Sequence, residues 1–121
     1  MAFEKNVMIS VMHGTYGHQD DGYGALQLAN AILAKGGNVT IYLRSDGVYM
    51  GIKGQDPKGL GLPNNLDELD DFIELGGVIK ADRTALGERG LLPDDLVENI
   101  ELIGRDKILA MLSEHDFCLT F

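Results

Sequence analysis

The feature that most constrains this chain is a rhythm of short apolar runs alternating with helix-length amphipathic segments. Val7-Met8-Ile9-Ser10-Val11-Met12 is almost continuously apolar. Such a run suits a strand buried on both faces, as in a parallel sheet. Ala25, Leu26, Leu28, Ala29, Ile32 and Leu33 then recur at helical spacing, and Gly36-Gly37 marks the stop. Asn38-Val39-Thr40-Ile41-Tyr42-Leu43 is rich in β-branched residues and reads as the second strand. Strand, helix, strand at this spacing is a βαβ unit with a right-handed crossover.

The pattern continues beyond a long interruption. Residues 44–65 hold five glycines and two prolines, with one short helix expected near Asp46. Loops of this length in a compact domain usually bind, move or form interfaces. Leu66, Leu69, Phe72 and Ile73 then mark an amphipathic helix whose acidic face is solvated, ended by Gly76-Gly77. Val78 to Ala81 is the third strand, and Arg83 to Arg89 a short helix with Asp82 as N-cap and Gly90 as stop. Pro93-Asp94-Asp95 is placed to start another turn. Ile100 to Ile103 is a fourth strand, Arg105 to Glu114 a helix with Ile108, Leu109 and Leu112 inward, and Phe117 to Phe121 the last strand. Five strands alternating with helices predict an α/β sandwich around a mainly parallel sheet in one domain, residues 1–121.

Charge excludes several functions. With a net charge of −9 and a pI near 4.5, the chain lacks the excess of Lys and Arg that phosphate backbones or anionic membranes require. No apolar run approaches the roughly 20 residues of a membrane span. The first residues place a charged pair before a strand-like run, unlike a secretory leader. A single cysteine, Cys118, fits a reducing compartment, and the expected location is cytoplasmic.

Ligands of open α/β sheets bind at the carboxyl ends of strands, which draws attention to three segments. In the loop after the first strand, Gly22-Tyr23-Gly24-Ala25-Leu26-Gln27 nearly spells a dinucleotide fingerprint, but Gln27 replaces the third glycine. Asp20-Asp21 would also place negative charge where a pyrophosphate must sit. No phosphate-binding loop of the Walker type is present, and no cofactor is expected. His13, His18, Asp20 and Asp21 are weakly specific as metal ligands, Asp21 being the natural cap of the first helix. No metal is expected. His13 is better read as a pocket residue able to shuttle a proton or orient an anion. His115 reads as structural. Cys118, between Phe117 and Leu119, is expected to be a small buried hydrophobe. Asp82, His13 and Cys118 are the candidates for chemistry, and Arg83, Tyr16, His18, Asp46 and Arg89 the candidates for binding.

Three stretches also carry a resemblance: "GALQLANAILAKGGNVTIYLRSDGV", "GGVIKADRTALGERGL" and "IELIGRDKILAMLSEHDFCLTF". With the preceding strand and glycine-containing loop, they resemble the DsrE/DsrF/TusD-like family of small sulfur-relay proteins, most specifically at "RSDGV" and "ERGL". The resemblance spares only the insert around Gln55 to Asn65. It implies a flavodoxin-like three-layer sandwich with helices on both faces, a cytoplasmic homo-oligomer (trimer or hexamer), and sulfur-relay partner proteins. Active members carry sulfur as a persulfide on a cysteine at the end of the third strand. Counting back from Arg89-Gly90, that position is Asp82. A carboxylate cannot attack and release sulfane sulfur. The resemblance therefore implies a non-catalytic binding or scaffold homologue. The alternatives are a sulfur carrier using Cys118, or an acid/base enzyme using Asp82 and His13.

Overall fold

The computed structural model describes residues 2–16 and 21–121. Five strands form one sheet: β1 (Asn6–Val11), β2 (Asn38–Leu43), β3 (Val78–Asp82), β4 (Ile100–Ile103) and β5 (Phe117–Thr120). Their order across the sheet is β4-β3-β2-β1-β5, and every pairing is parallel. The helices are α1 (Asp21–Ala34), α2 (Asn65–Glu74), α3 (Arg83–Glu88) and α4 (Ile108–Ser113). Among the described residues, no helix is long and apolar enough to cross a membrane.

Connection handedness explains the layers. From β1 to β4 each strand is laid beside the last in one direction, so right-handed crossovers keep α1, α2 and α3 on one face. The step from β4 to β5 runs back across the sheet, which sends α4 to the opposite face. Burial follows this division. Val7, Ile9 and Val11 of β1, Val39, Ile41 and Leu43 of β2, and Ile79 and Ala81 of β3 join Leu26, Leu69, Phe72 and Leu86 in the main core. The alternate residues Met8 and Tyr42 join Ile103 and Met111 in a much smaller cluster, with Ile108 packed against it. One six-residue helix cannot cover five strands, so the α4 face stays partly open.

Local chemistry sets the element ends. α1 and α2 finish alike: Gly36 (φ +92°) and Gly76 (φ +94°) take the left-handed conformation that ends a helix. The amides of Gly37 and Gly77 then donate back to the carbonyls of Ile32 and Phe72. Asn64 caps α2 by accepting from the Leu66 amide at 2.9 Å. Asp21 is the first residue of α1, one position inside the cap expected for it, and its carboxylate pairs with His13 instead.

Two further expectations fail. A 3-10 turn at Arg105–Lys107 precedes α4, and Met111 faces inward while Leu109 and Leu112 face solvent. A wheel drawn at 3.6 residues per turn from Arg105 loses phase across that tighter turn. Cys118 is exposed, not buried. β5 is an edge strand beyond the reach of the short α4, and all four of its residues are exposed.

The segment 44–65 is tied down. It contains 3-10 turns at Ser45–Gly51 and Lys58–Leu60. The Gln55 amide donates to the carbonyls of Met50 and Ile52 at 2.9 Å each and accepts from the Tyr16 hydroxyl at 2.7 Å. Lys53 N and Val97 N bond across to Asp95 and Gly51, stitching the segment to the stretch before β4.

Candidate functional site

Asp82 ends β3 and caps α3. It is 2% exposed, and both carboxylate oxygens are engaged. Oδ1 accepts from the Thr84 amide at 3.1 Å, the N-cap bond anticipated from sequence. Oδ2 accepts from Arg105 Nε at 3.1 Å. Arg105, just past β4, also lies 3.7 Å from Glu88 at the end of α3. The Asp82 hydrogen bond and charge raise the pKa of the Arg105 guanidinium above its ordinary value.

Asp82 forms part of a cleft of about 360 Å³ at the carboxyl ends of β2, β3 and β4, whose lining includes Tyr42, Arg44, Arg89 and Arg105. Arg89 bonds Asp46 Oδ1 at 2.9 Å and the Ala85 carbonyl at 3.0 Å, clamping the Ser45–Gly51 turn to α3. Arg44 Nε donates to Ser10 Oγ at 2.8 Å, and Nη2 approaches Met12 Sδ at 3.3 Å. Burial pushes the Tyr42 phenol pKa up, and the Asp82 charge adds to this, with Arg105 and Arg44 opposing. A neighbouring groove shares Tyr42, Arg44 and Ile108 with this cleft and runs to Cys118.

The other sequence candidates lie elsewhere. His13 Nδ1 is 2.8 Å from Asp21 Oδ2, and the lining of the Asp82 cleft does not include it. Arg83 points along the far side of α4 into a groove with Lys80, Glu101 and Lys107, its Nη2 3.4 Å from the Leu102 carbonyl. Tyr16 accepts from the Asn65 amide at 3.1 Å besides bonding Gln55, so it anchors the long segment. His18 and Asp20 lie outside the described residues. His115 Nδ1 is 2.6 Å from the Met111 carbonyl at the end of α4.

Sequence reasoning passed over Tyr42, Arg44 and Arg105. Arg44 and Arg105 follow β2 and β4 closely, and the strand-tip rule applied to every strand would have reached them. Tyr42 was hidden in a run read only as strand.

Asp82→Ala removes the cap of α3 and is expected to cost about 1 kcal/mol of stability. Asp82→Asn keeps a cap acceptor and should stay within about 0.5 kcal/mol of wild type. Denaturant titration of the two variants checks this; an undiminished Asp82→Ala midpoint would contradict the cap assignment.

Residues 5–121 match the model of the DsrE/DsrF-like family. An uncharacterised protein of Methanopyrus kandleri is 34% identical over 115 residues, covering 95% of this chain and 93% of that protein. The intracellular sulfur oxidation protein DsrF of Allochromatium vinosum is 31% identical over 101 residues, covering 69% of this chain and 73% of DsrF. Among solved structures, the ychN protein from E. coli superposes with a TM-score of 0.83 at 24% identity, covering 98% of this chain and 100% of ychN. The parallel β4-β3-β2-β1-β5 sheet, its helices on both faces and the match from residue 5 to residue 121 lead to one conclusion: the chain belongs to the DsrE/DsrF-like family.

Proposed function

We propose that this protein is a DsrE-like component of intracellular sulfur transfer that performs no persulfide step at the β3–α3 junction. It acts as a binding or scaffold subunit in a cytoplasmic homo-oligomer, a trimer or hexamer, with sulfur-relay proteins as partners. The family and the relative named for sulfur oxidation support the sulfur-transfer context. One observation carries the non-catalytic reading: Asp82, which the resemblance puts at the family's cysteine position, is a buried carboxylate fixed by Thr84 N–H and Arg105. Persulfide exchange needs a thiolate that attacks sulfane sulfur and later leaves, and neither step is open to this group. Exposed Phe117 and Leu119 on the β5 edge favour further assembly, since soluble proteins rarely leave an apolar strand edge bare.

A second reading has its own observation. Cys118 is exposed and shares a groove with Arg44, so a carrier role through this thiol has access and a nearby cation. Intact-mass analysis after incubation with a cysteine desulfurase and cysteine separates the two readings. No stable sulfur adduct is expected on wild type; an adduct that disappears in Cys118→Ser would sink the scaffold reading. Native-mode spectra of the same samples read the assembly, and a strict monomer at micromolar concentration would refute the oligomer.

A further inference from the structure

The Asp82 cleft is lined by a hydroxyl that no protein group engages among the described residues. Tyr42 is 2% exposed, and among the described residues its hydroxyl makes no hydrogen bond. The hydroxyl is not sealed in the core; it opens on the cleft and is available to donate to an occupant. It lines both the Asp82 cleft and the groove towards Cys118, where those two spaces meet. As a phenol it is a protonated donor at neutral pH, and burial pushes its pKa further up.

The charges beside it do not balance. Arg89 is paired with Asp46, and Arg105 with Asp82 and Glu88. Arg44 has only neutral partners among the described residues, Ser10 Oγ and Met12 Sδ. Those contacts use two of the five N–H donors of a guanidinium, leaving an unbalanced cation with donors to spare. Arg44 and Tyr42 are residues of the same two cavities, so the free donors of both serve one space.

We infer that this junction is a binding site for a small oxyanion, held between the Tyr42 hydroxyl and the Arg44 guanidinium. Asp82 and Glu88 repel an anion from the α3 side and confine it to the Arg44 end. A net charge of −9 disfavours anions at long range, so recognition comes from contact and not from steering. The fork of Arg44 suits carboxylates and tetrahedral oxyanions alike. The inference does not rest on the sulfur-transfer reading, because the anion site stands whether or not Cys118 carries sulfur.

Calorimetric titration with acetate and with sulfate, against chloride at matched ionic strength, tests it and separates the two ligand shapes. Wild type is expected to show one saturable oxyanion site per chain. Arg44→Gln should weaken it by more than about tenfold, the scale of a lost charge-assisted contact. Tyr42→Phe keeps the buried ring and should weaken it by about fivefold, the scale of one hydrogen bond. Lys35→Gln, an exposed cation just past the end of α1 and outside the cleft, should leave it unchanged. Lack of saturable binding by both anions, equal heats with chloride, or affinity unaltered in Tyr42→Phe would each overturn the site. The Tyr42→Phe result decides even if Arg44→Gln fails to fold.

Discussion

Gly47→Ala is expected to unfold the protein or cost at least about 3 kcal/mol, far more than a typical loop substitution. Gly47 lies in the "RSDGV" stretch, within the 3-10 turn that follows β2. Its backbone torsion is not the reason, since it is absent from the positive-φ positions. The reason is space. A Cβ there would overlap the Val11 carbonyl oxygen and sit 2.6 Å from the Val11 carbonyl carbon, both backbone atoms at the end of β1. Nothing flexible can give way. The same carbonyl accepts from the Arg44 amide at 3.0 Å, and the Gly47 amide donates to the Arg44 carbonyl at 2.9 Å. Any shift that relieves the overlap therefore pulls Arg44 from its place in the cleft. Gly59→Ala is the control, because no atom lies within 4 Å of its added Cβ and its φ is ordinary. Equilibrium denaturation of both variants checks the claim; a loss below about 1 kcal/mol at Gly47 would mean that the turn is free to move.

The contrast between Gly47 and Asp82 shows what could be read from sequence. Asp82 capping α3 is local: the carboxylate and the Thr84 amide are two residues apart, so the type and position of the residue suffice. The same holds for the Gly-Gly endings of α1 and α2 and for the strand limits at Asn38–Leu43 and Ile100–Ile103. The layered parallel sheet was legible because short apolar runs joined by helices have few other solutions. Gly47 meeting Val11 is a contact between separate segments, and no local signal announces it. Arg105 reaching Asp82 across 23 residues is of the same kind. The exposure of Cys118 has no local signal for a related reason. Its strand pattern was correct, but exposure depends on which edge the last strand joins and on how much sheet α4 covers. Both are consequences of the reversal from β4 to β5, a property of the whole topology.

Asp82→Cys, made in a Cys118→Ser background, is expected to convert a chain that takes up no sulfur into one that does. This outcome rests on placing the family's cysteine at Asp82. The new thiol would stand at the start of α3, facing Arg105 and opening on the 360 Å³ cleft. A helix start and a guanidinium both favour a thiolate, while burial opposes it. With a desulfurase persulfide as donor, the thiolate attacks the terminal sulfane sulfur, a new S–S bond forms, and the desulfurase cysteine leaves as its thiolate. Atoms and electrons balance without an added oxidant. The variant gives up the Asp82 cap and should lose about 1 kcal/mol, leaving it folded for the assay. Intact mass after the reaction reads the result directly: one added sulfur atom, removable by a reducing thiol. Asp82→Ser in the same background must stay unmodified. If the Asp82→Cys chain is folded and its thiol reacts with an alkylating agent, yet no sulfur is transferred, the β3–α3 junction is not the relay position. The buried carboxylate would then lose its meaning as a nucleophile replaced, and the case for a scaffold subunit would fall with it.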